Sequence, residues 1–440
     1  MKQADTLLLA KWLEPVGKQQ NTQTDTGVAI KDGKIIAIDR NHLLERNYSA
    51  EQVVHLDNHL LLPGLINCHT HAAMSLLKGY ANDLPLMTWL NDHIWPVEGE
   101  FVSDEFVYEG TQLAMAEMLR GGITCFNDMY FMPDMTAKAV SEIGMRANIG
   151  LIVIDFPSAW ASDANQYIAN GLKVFDQYKA DPMISFSLAP HAPYTVSDEP
   201  LQKLNTYAEE LGLTVHMHVH ETAQEVNDAQ MQNGIRPIER LDQLGLLSPS
   251  LMAVHMTQLS EQDMSLVERN GVHVVHCPES NMKLASGIAP ISQLINNGVN
   301  VALGTDGSAS NNDLDLIGEA RTAALLAKVS SLRADQLTAF QALKMMTING
   351  AKALGLSDQI GSIEVSKAAD LIAIDMASVE MQPVYDPVAQ LIYSGSREQV
   401  SHVWINGKVQ LDNNRLINLS ENGCLAIADK WQRTITDKNK

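Results

Sequence analysis

Hydrophobic and polar positions alternate along this chain in two different rhythms. Near the start the apolar runs are short and broken by turn residues. A run at 26–30 is followed by Asp32-Gly33 and a second run at 34–38, which is a hairpin signal because Asp-Gly supplies the positive backbone angles of a tight turn. The far end repeats that pattern, with runs at 370–375 and 400–405, then Asn406-Gly407 and a further run at 408–411. Neither end is long enough to bury a convincing core alone. The two are therefore expected to combine into one β-sandwich with the middle of the chain inserted between them.

The middle keeps a different rhythm, in which β-rich apolar runs alternate with stretches of helical period. Strands are predicted at 65–69, 123–128, 146–154, 184–189, 214–220, 251–255, 272–276 and 301–305. Helical stretches such as 108–120, 199–210 and 261–268 lie between them, followed by Gly121, Gly212 and Gly271 where a helix C-cap falls. Eight strand-and-helix units predict an α/β chain built as a parallel (β/α)8 TIM barrel, with a doubly wound open sheet as the alternative. No G-x-G-x-x-G or G-x-x-x-x-G-K follows any of these strands, which counts against a nucleotide-cradling open sheet. The expected partition is 1–62 for the first part of the sandwich, 63–360 for the barrel, and 361–440 for the second part. A helix at 421–434 closes the chain and is expected to pack as a lid or strap.

Composition narrows the partners. Of the 440 residues 45% are hydrophobic and 19% charged, which is ordinary for a globular enzyme. Lys plus Arg number 31 against 52 Asp plus Glu, a formal charge of -21 that repels nucleic acid and anionic membranes. No apolar run approaches the roughly 18 residues of a membrane span, so the chain is expected in the cytoplasm. The expected partner is a small molecule, and a homo-oligomer is compatible with all of this. The four cysteines, Cys68, Cys125, Cys277 and Cys424, form no C-x-x-C pair, so a metal would have to be held by histidine and carboxylate.

Such a set exists at the strand ends. His69 and His71 close the first barrel strand and, two positions apart, share a face. His191 follows the fourth strand, His218 lies in the fifth, His255 ends the sixth, His276 ends the seventh and Asp306 follows the eighth. Any one of these has an ordinary structural explanation. Together they fall where a barrel gathers its reactive groups. Zinc takes three or four nitrogen and oxygen donors and leaves a position for water. His69, His71, Asp306 and one histidine of the fifth strand would serve. His216, His218 and His220 all share a face of that strand, and spacing alone does not choose between them. His218 is preferred because it stands three residues before Glu221, a carboxylate that would then sit at the strand's mouth beside the metal water.

Five segments, PGLINCHTH, HVHE, the strand-end His255, HCPESNMKL and GTDGSASNN, together resemble the amidohydrolase superfamily, in its mononuclear-zinc deaminase and chlorohydrolase branch. The resemblance covers nearly the whole chain. Binuclear members carry a carboxylated lysine after the fourth strand, and here that place reads Ala189-Pro190-His191-Ala192-Pro193, so one ion is implied. Within the branch the chain is most similar to the 5'-methylthioadenosine/S-adenosylhomocysteine deaminases, whose Ile-Trp-Pro segment followed by glutamate matches Ile94 to Glu98.

The resemblance implies hydrolytic deamination of an adenine nucleoside at one Zn2+ per subunit, with Fe2+ or Mn2+ suited to the same donors. It implies metal ligands His69, His71, His218 and Asp306, and catalytic roles for Glu221, His255 and Asp306. It implies ribose contact by Glu98, since a carboxylate can accept two hydrogen bonds from a vicinal diol. His191 and Arg146 are implied on the substrate side, with Glu221 and Asp306 also touching substrate. The role of His276 stays open between substrate contact and support of Asp306. The alternatives are a deaminase or chlorohydrolase of the same branch acting on guanine, an oxidised purine or an s-triazine, and a metal-binding barrel without catalysis. The cytidine-deaminase type of zinc signature is absent.

Overall fold

Two eight-stranded sheets carry the fold, and the chain enters and leaves through one of them. The structure is a computed structural model that describes residues 1–17 and 21–438. The N-terminal strands are β1 (Lys2–Leu13), β2 (Gln23–Lys31), β3 (Lys34–Arg40) and β4 (Tyr48–Pro63). The barrel strands follow as β5 (Leu65–Thr70), β6 (Ile123–Tyr130), β7 (Arg146–Val153), β8 (Ile184–Pro190), β9 (Thr214–Val219), β10 (Leu251–His255), β11 (His273–His276) and β12 (Val301–Leu303). The chain then returns through β13 (Leu371–Asp375), β14 (Val400–Ile405), β15 (Lys408–Asp412) and β16 (Arg415–Leu416).

The terminal strands form one mixed sheet in the order β16-β15-β14-β13-β4-β1-β2-β3. The expected sandwich is realised as this single sheet bent over its own core. The start of β3 returns to the segment before β13, where Ile35 N–H donates to Lys367 O and Ala369 N–H to Gly33 O at 3.0 and 2.8 Å. Leu8, Val28, Ile35, Leu56, Leu371 and Trp404 fill the interior. Both hairpin turns take the left-handed backbone their sequences call for, with φ of 50° and 75° at Asp32-Gly33 and 50° and 74° at Asn406-Gly407.

The second sheet runs β12 to β5 in strict sequence order, with every paired strand parallel. All eight residues of β6 and of β7 are buried, as befits strands covered on both faces. Barrel closure is made just past β12. Asp306 N–H donates to the His69 carbonyl at 3.0 Å, and the Asn67 side chain accepts from Thr305 N–H and donates to its hydroxyl at 3.0 and 2.8 Å. Gly304 permits this approach, because a Cβ there would lie 2.7 Å from the His69 Cβ.

The helices start and stop largely as read. Ser103 caps Asp104–Arg120 by accepting from Phe106 N–H, and Ser260 caps Glu261–Asn270. Gly212 and Gly271 take the left-handed C-terminal position. At the third predicted stop the left-handed residue is Gly122, with φ of 80°, and Gly121 has φ of -87°. The last helix, Glu421–Lys438, lies along Asp104–Arg120. Trp431 meets Phe106 edge-on at 5.0 Å and donates its indole N–H to Glu109, and Lys430 pairs with Glu105 and Glu109. It is a strap: its Trp431 and Ile435 join the apolar cluster that holds Trp89, Ile94 and Val97.

Arg146 corrects the sequence reading. It opens β7, at the end of the barrel away from the strand-end histidines, and is 5% exposed. Its guanidinium grips Asp370 at 2.8 and 3.3 Å and donates to Pro182 O. Asp370 also accepts from Asn406 N–H at 2.7 Å. Arg146 therefore bolts the barrel floor to the terminal sheet, and its charge is fully engaged. Removing one member of a buried ion pair strands the other. Arg146→Met should cost about 3–5 kcal/mol in chemical denaturation while substrate affinity of the folded protein is unchanged; a selective loss of affinity would return Arg146 to the substrate.

Candidate active site

Side chains from strand ends far apart in sequence meet at the barrel mouth. The ligand atoms of His69, His71 and Asp306 lie within 4.8 Å of one another, and so do those of His69, His218 and His255. Asp306 Oδ1 is 3.3 Å from Nε2 of both His69 and His71, and the Nε2 atoms of His69 and His218 are 3.2 Å apart. His69 is 0% and Asp306 5% exposed, so water does little to separate these groups.

The outer edge of each ring decides what its inner edge offers. His71 Nδ1 donates to Met129 O at 2.6 Å, and His218 Nδ1 donates to His191 O at 2.7 Å. With the proton on Nδ1, each Nε2 presents a lone pair to the centre. His69 Nδ1 stands 2.8 Å from His216 Nε2. Burial pushes the His69 imidazole down to about 4 despite the Asp306 carboxylate, and drives His218 well below its usual range. Burial would raise Asp306, but the His69 hydrogen bond and the surrounding imidazoles outweigh it and hold the carboxyl well below its ordinary value. Converging lone pairs and a carboxylate oxygen repel one another unless a cation lies between them. That donor set suits a divalent metal ion.

Further polar contacts fix the rest. Asp306 Oδ2 accepts from the Ser280 hydroxyl at 2.7 Å and Oδ1 from Gly307 N–H at 2.7 Å. His255 Nδ1 donates to Asn281 Oδ1 at 2.8 Å, leaving Nε2 to face Glu221 Oε2 at 3.7 Å. Burial raises the Glu221 carboxyl above its ordinary value, against the opposing pull of His255. Glu225 accepts from the backbone N–H of His220 and Glu221 at 3.0 and 2.7 Å, which pins the turn carrying Glu221. His255 and Asp306 both adopt left-handed backbone, with φ of 74° and 63°, a conformation seen in non-glycine residues mainly where surroundings impose it.

These groups open into a pocket of about 860 Å³, mouth included, whose walls include His71, Glu98, His191, His218, Glu221, His255 and Asp306. Glu98 accepts from the Tyr130 hydroxyl at 2.6 Å, and burial pushes its carboxyl up to about 6. His191 lies 3.1 Å from the Thr195 hydroxyl, and burial takes its ring down to about 3. All the sequence-predicted site residues except Arg146 therefore reach one locality. His276 is buried outside the pocket lining, and Asp306 takes its support from Ser280 and Gly307. The His220 ring hydrogen-bonds Gln258 O and Ile238 N–H, with the Asp263 carboxylate 4.0 Å from its Nδ1. Sequence reading missed His216 as the partner of His69, Tyr130 as that of Glu98, and Ser280, Asn281 and Glu225. Ser280 and Asn281 sit inside HCPESNMKL, so their motif was visible while their partners were not.

The model of the amidohydrolase family matches residues 60–410. A 5-methylthioadenosine/S-adenosylhomocysteine deaminase of Teredinibacter turnerae is 47% identical over 434 residues, covering 99% of this chain and 98% of the relative. The chain belongs to the amidohydrolase family. A 5'-deoxyadenosine deaminase of Methanobrevibacter smithii is 42% identical over 414 residues, 93% of this chain and 94% of that one. Among solved structures, an adenosine deaminase from Xanthomonas campestris with bound zinc superposes with a TM-score of 0.98 at 46% identity, covering 99% of both chains. No helix among the described residues is long and apolar enough to cross a membrane.

The support given to His69 by His216 has a measurable consequence in this amidohydrolase. Partners of a ligating imidazole typically contribute 10- to 100-fold to metal affinity. His216→Phe should weaken metal retention by about that factor in competition with a chelator; undiminished affinity would reduce His216 to packing.

Proposed function

We propose that the chain is a zinc-dependent hydrolytic deaminase of adenine nucleosides such as 5'-methylthioadenosine, S-adenosylhomocysteine or adenosine, releasing ammonia and the inosine analogue. The observation that carries this reading is one pocket that gathers Glu221, His255 and Asp306, with the Glu221 carboxyl shifted up and the Asp306 carboxyl shifted down, while Glu98 stands as an acceptor for a ribose diol. The names of the whole-length relatives support it. Glu98 with Tyr130 also favours a nucleoside over guanine, an oxidised purine or an s-triazine.

His69, His71, His218 and Asp306 would hold one Zn2+ per subunit, and Fe2+ or Mn2+ suit the same donors. The bound ion would supply a water acidified from about 15.7 toward 7. Asp306, kept ionised, accepts the proton of the attacking water. Glu221, its carboxyl raised by burial, is placed to donate to the purine ring nitrogen beside C6, without which that carbon is a poor electrophile. His255 orients the attack from the edge opposite Asn281. Water adds to C6, the C6–N bond breaks, the proton held by Asp306 leaves with ammonia, and the C6 hydroxyl proton passes to Glu221, giving the keto product and restoring the acid. Glu98 accepts from the ribose hydroxyls and His191 contacts the nucleoside. The same proposal takes 63–360 as the catalytic unit, with 1–62 and 361–440 together as its companion. It sets a free nucleoside in the cytoplasm as substrate, in keeping with the charge of -21.

Glu221→Gln should leave the metal bound and lower turnover by about 10²- to 10⁴-fold; near-normal deamination would contradict the proton-donor role. Glu98 must be ionised to hold the diol well, and its raised value makes that true only above about pH 6. Riboside kcat/KM should fall as the pH drops through about 6. Glu98→Gln should raise KM for ribosides about 10- to 100-fold and flatten this limb of the profile. A limb that survives the substitution would belong to another group.

A further inference from the structure

The proposed reaction leaves open what the 5' carbon carries, and the pocket walls bear on that. From Leu86, Trp89 and Leu90 on the cover to Phe131, Ile154 and Phe156 on the rim, the lining is apolar, and among the described residues no lysine or arginine lines it. A wider groove adjoins the pocket, sharing Leu86, Phe156, Tyr194, Thr195 and Glu221 with it. Two guanidiniums reach that groove, and both are neutralised. Arg236 holds Asp263 at 2.8 Å, and Arg240 holds Asp198 at 2.6 Å while donating to the carbonyls of Pro193 and Val196. Asp155, Glu225 and Asp228 face the same space.

We propose that this pocket selects adenine nucleosides whose 5' substituent is uncharged, such as methylthio or a plain methyl, and discriminates against one ending in an amino-acid carboxylate. The inference rests on the deaminase reading above and on the 5' carbon leaving the ribose toward that groove. A carboxylate brought against these walls loses its hydration and meets no free cation. Carried further, into the groove, it meets other carboxylates. The ammonium of an amino acid would find partners there, but the carboxylate would not. An uncharged thioether gains by burial at the same walls.

The test compares kcat/KM of the metal-loaded enzyme for 5'-methylthioadenosine, 5'-butylthioadenosine and S-adenosylhomocysteine, followed by loss of the adenine chromophore. The two uncharged thioethers should agree within about fivefold and S-adenosylhomocysteine should fall at least about tenfold below them. Equal values for S-adenosylhomocysteine and methylthioadenosine would overturn the proposal and leave the deaminase reading standing. A butyl compound as poor as S-adenosylhomocysteine would make length the barrier and overturn it too. Failure of all three would remove the deaminase reading and the proposal with it. Phe156→Arg, at the join of pocket and groove, should shift the ratio toward S-adenosylhomocysteine at least about threefold; an unmoved ratio in the active variant counts against charge as the cause.

Discussion

Closure of the barrel between its first and last strands is the constraint on which the site depends. His69, His71 and Asp306, whose donor atoms converge, come from both sides of that seam, and the backbone bond that closes it, Asp306 N–H to His69 O, joins two of them directly. The same two residues meet through their side chains at 3.3 Å. Gly304 and Asn67 exist on either side of the seam to make the approach close enough. A barrel left open here would lose the ligand cluster before it lost much of its hydrophobic core, because the packing around the outer helices is spread over the whole ring.

Given that closure, the chemistry follows from environment. Asp306 and Glu221 are both buried carboxylates, and burial alone would raise both. Asp306 is surrounded by imidazoles and receives donors from Ser280 and Gly307, so the ionised form wins. Glu221 has one hydroxyl, from Ser286 at 3.3 Å, and the neighbouring Asp306 charge opposes its ionisation. The two carboxyls are shifted in opposite directions because their neighbours differ. The imidazoles are sorted the same way: carbonyls at Met129 and His191 fix the protons outward and leave the inner nitrogens free to ligate.

All eight barrel strands were legible in the sequence, because a strand buried on both faces writes itself as an uninterrupted apolar run. The strand-end positions of His69, His71, His255 and Asp306 were legible for the same reason. What spacing did not resolve was which of His216, His218 and His220 faces the centre. His216 and His218 share a face of β9, while His220 lies just past its end with φ of 53°, and the three separate by partners from elsewhere in the chain: His69 for His216, His191 O for His218, Gln258 O for His220. Arg146 was misread because a charged residue at a strand start looks alike whether it meets a ligand or a carboxylate more than two hundred residues away. Asp370 appears beside it only after the terminal sheet has docked. The supporting hydroxyls and amides share that limitation, since nothing local in Ser280 or Tyr130 announces the carboxylate it serves.

The cover of the pocket obeys a different rule from the barrel beneath it. Residues 86–101 are short helical pieces that meet the barrel at Tyr130, and they contribute Trp89, Ile94 and Glu98 to the chamber. Their apolar sides are completed by Phe106 from the following helix and by Trp431 and Ile435 from the strap at the end of the chain. The segment that carries Glu98 is thus held in part by strap residues outside the pocket lining and more than three hundred positions away in sequence. The barrel mouth gathers its polar groups from fixed strand ends, while the cover is held by apolar packing. A family sharing one reaction centre can vary its substrates in the cover and along the rim, where Phe156 and Tyr194 stand half in solvent.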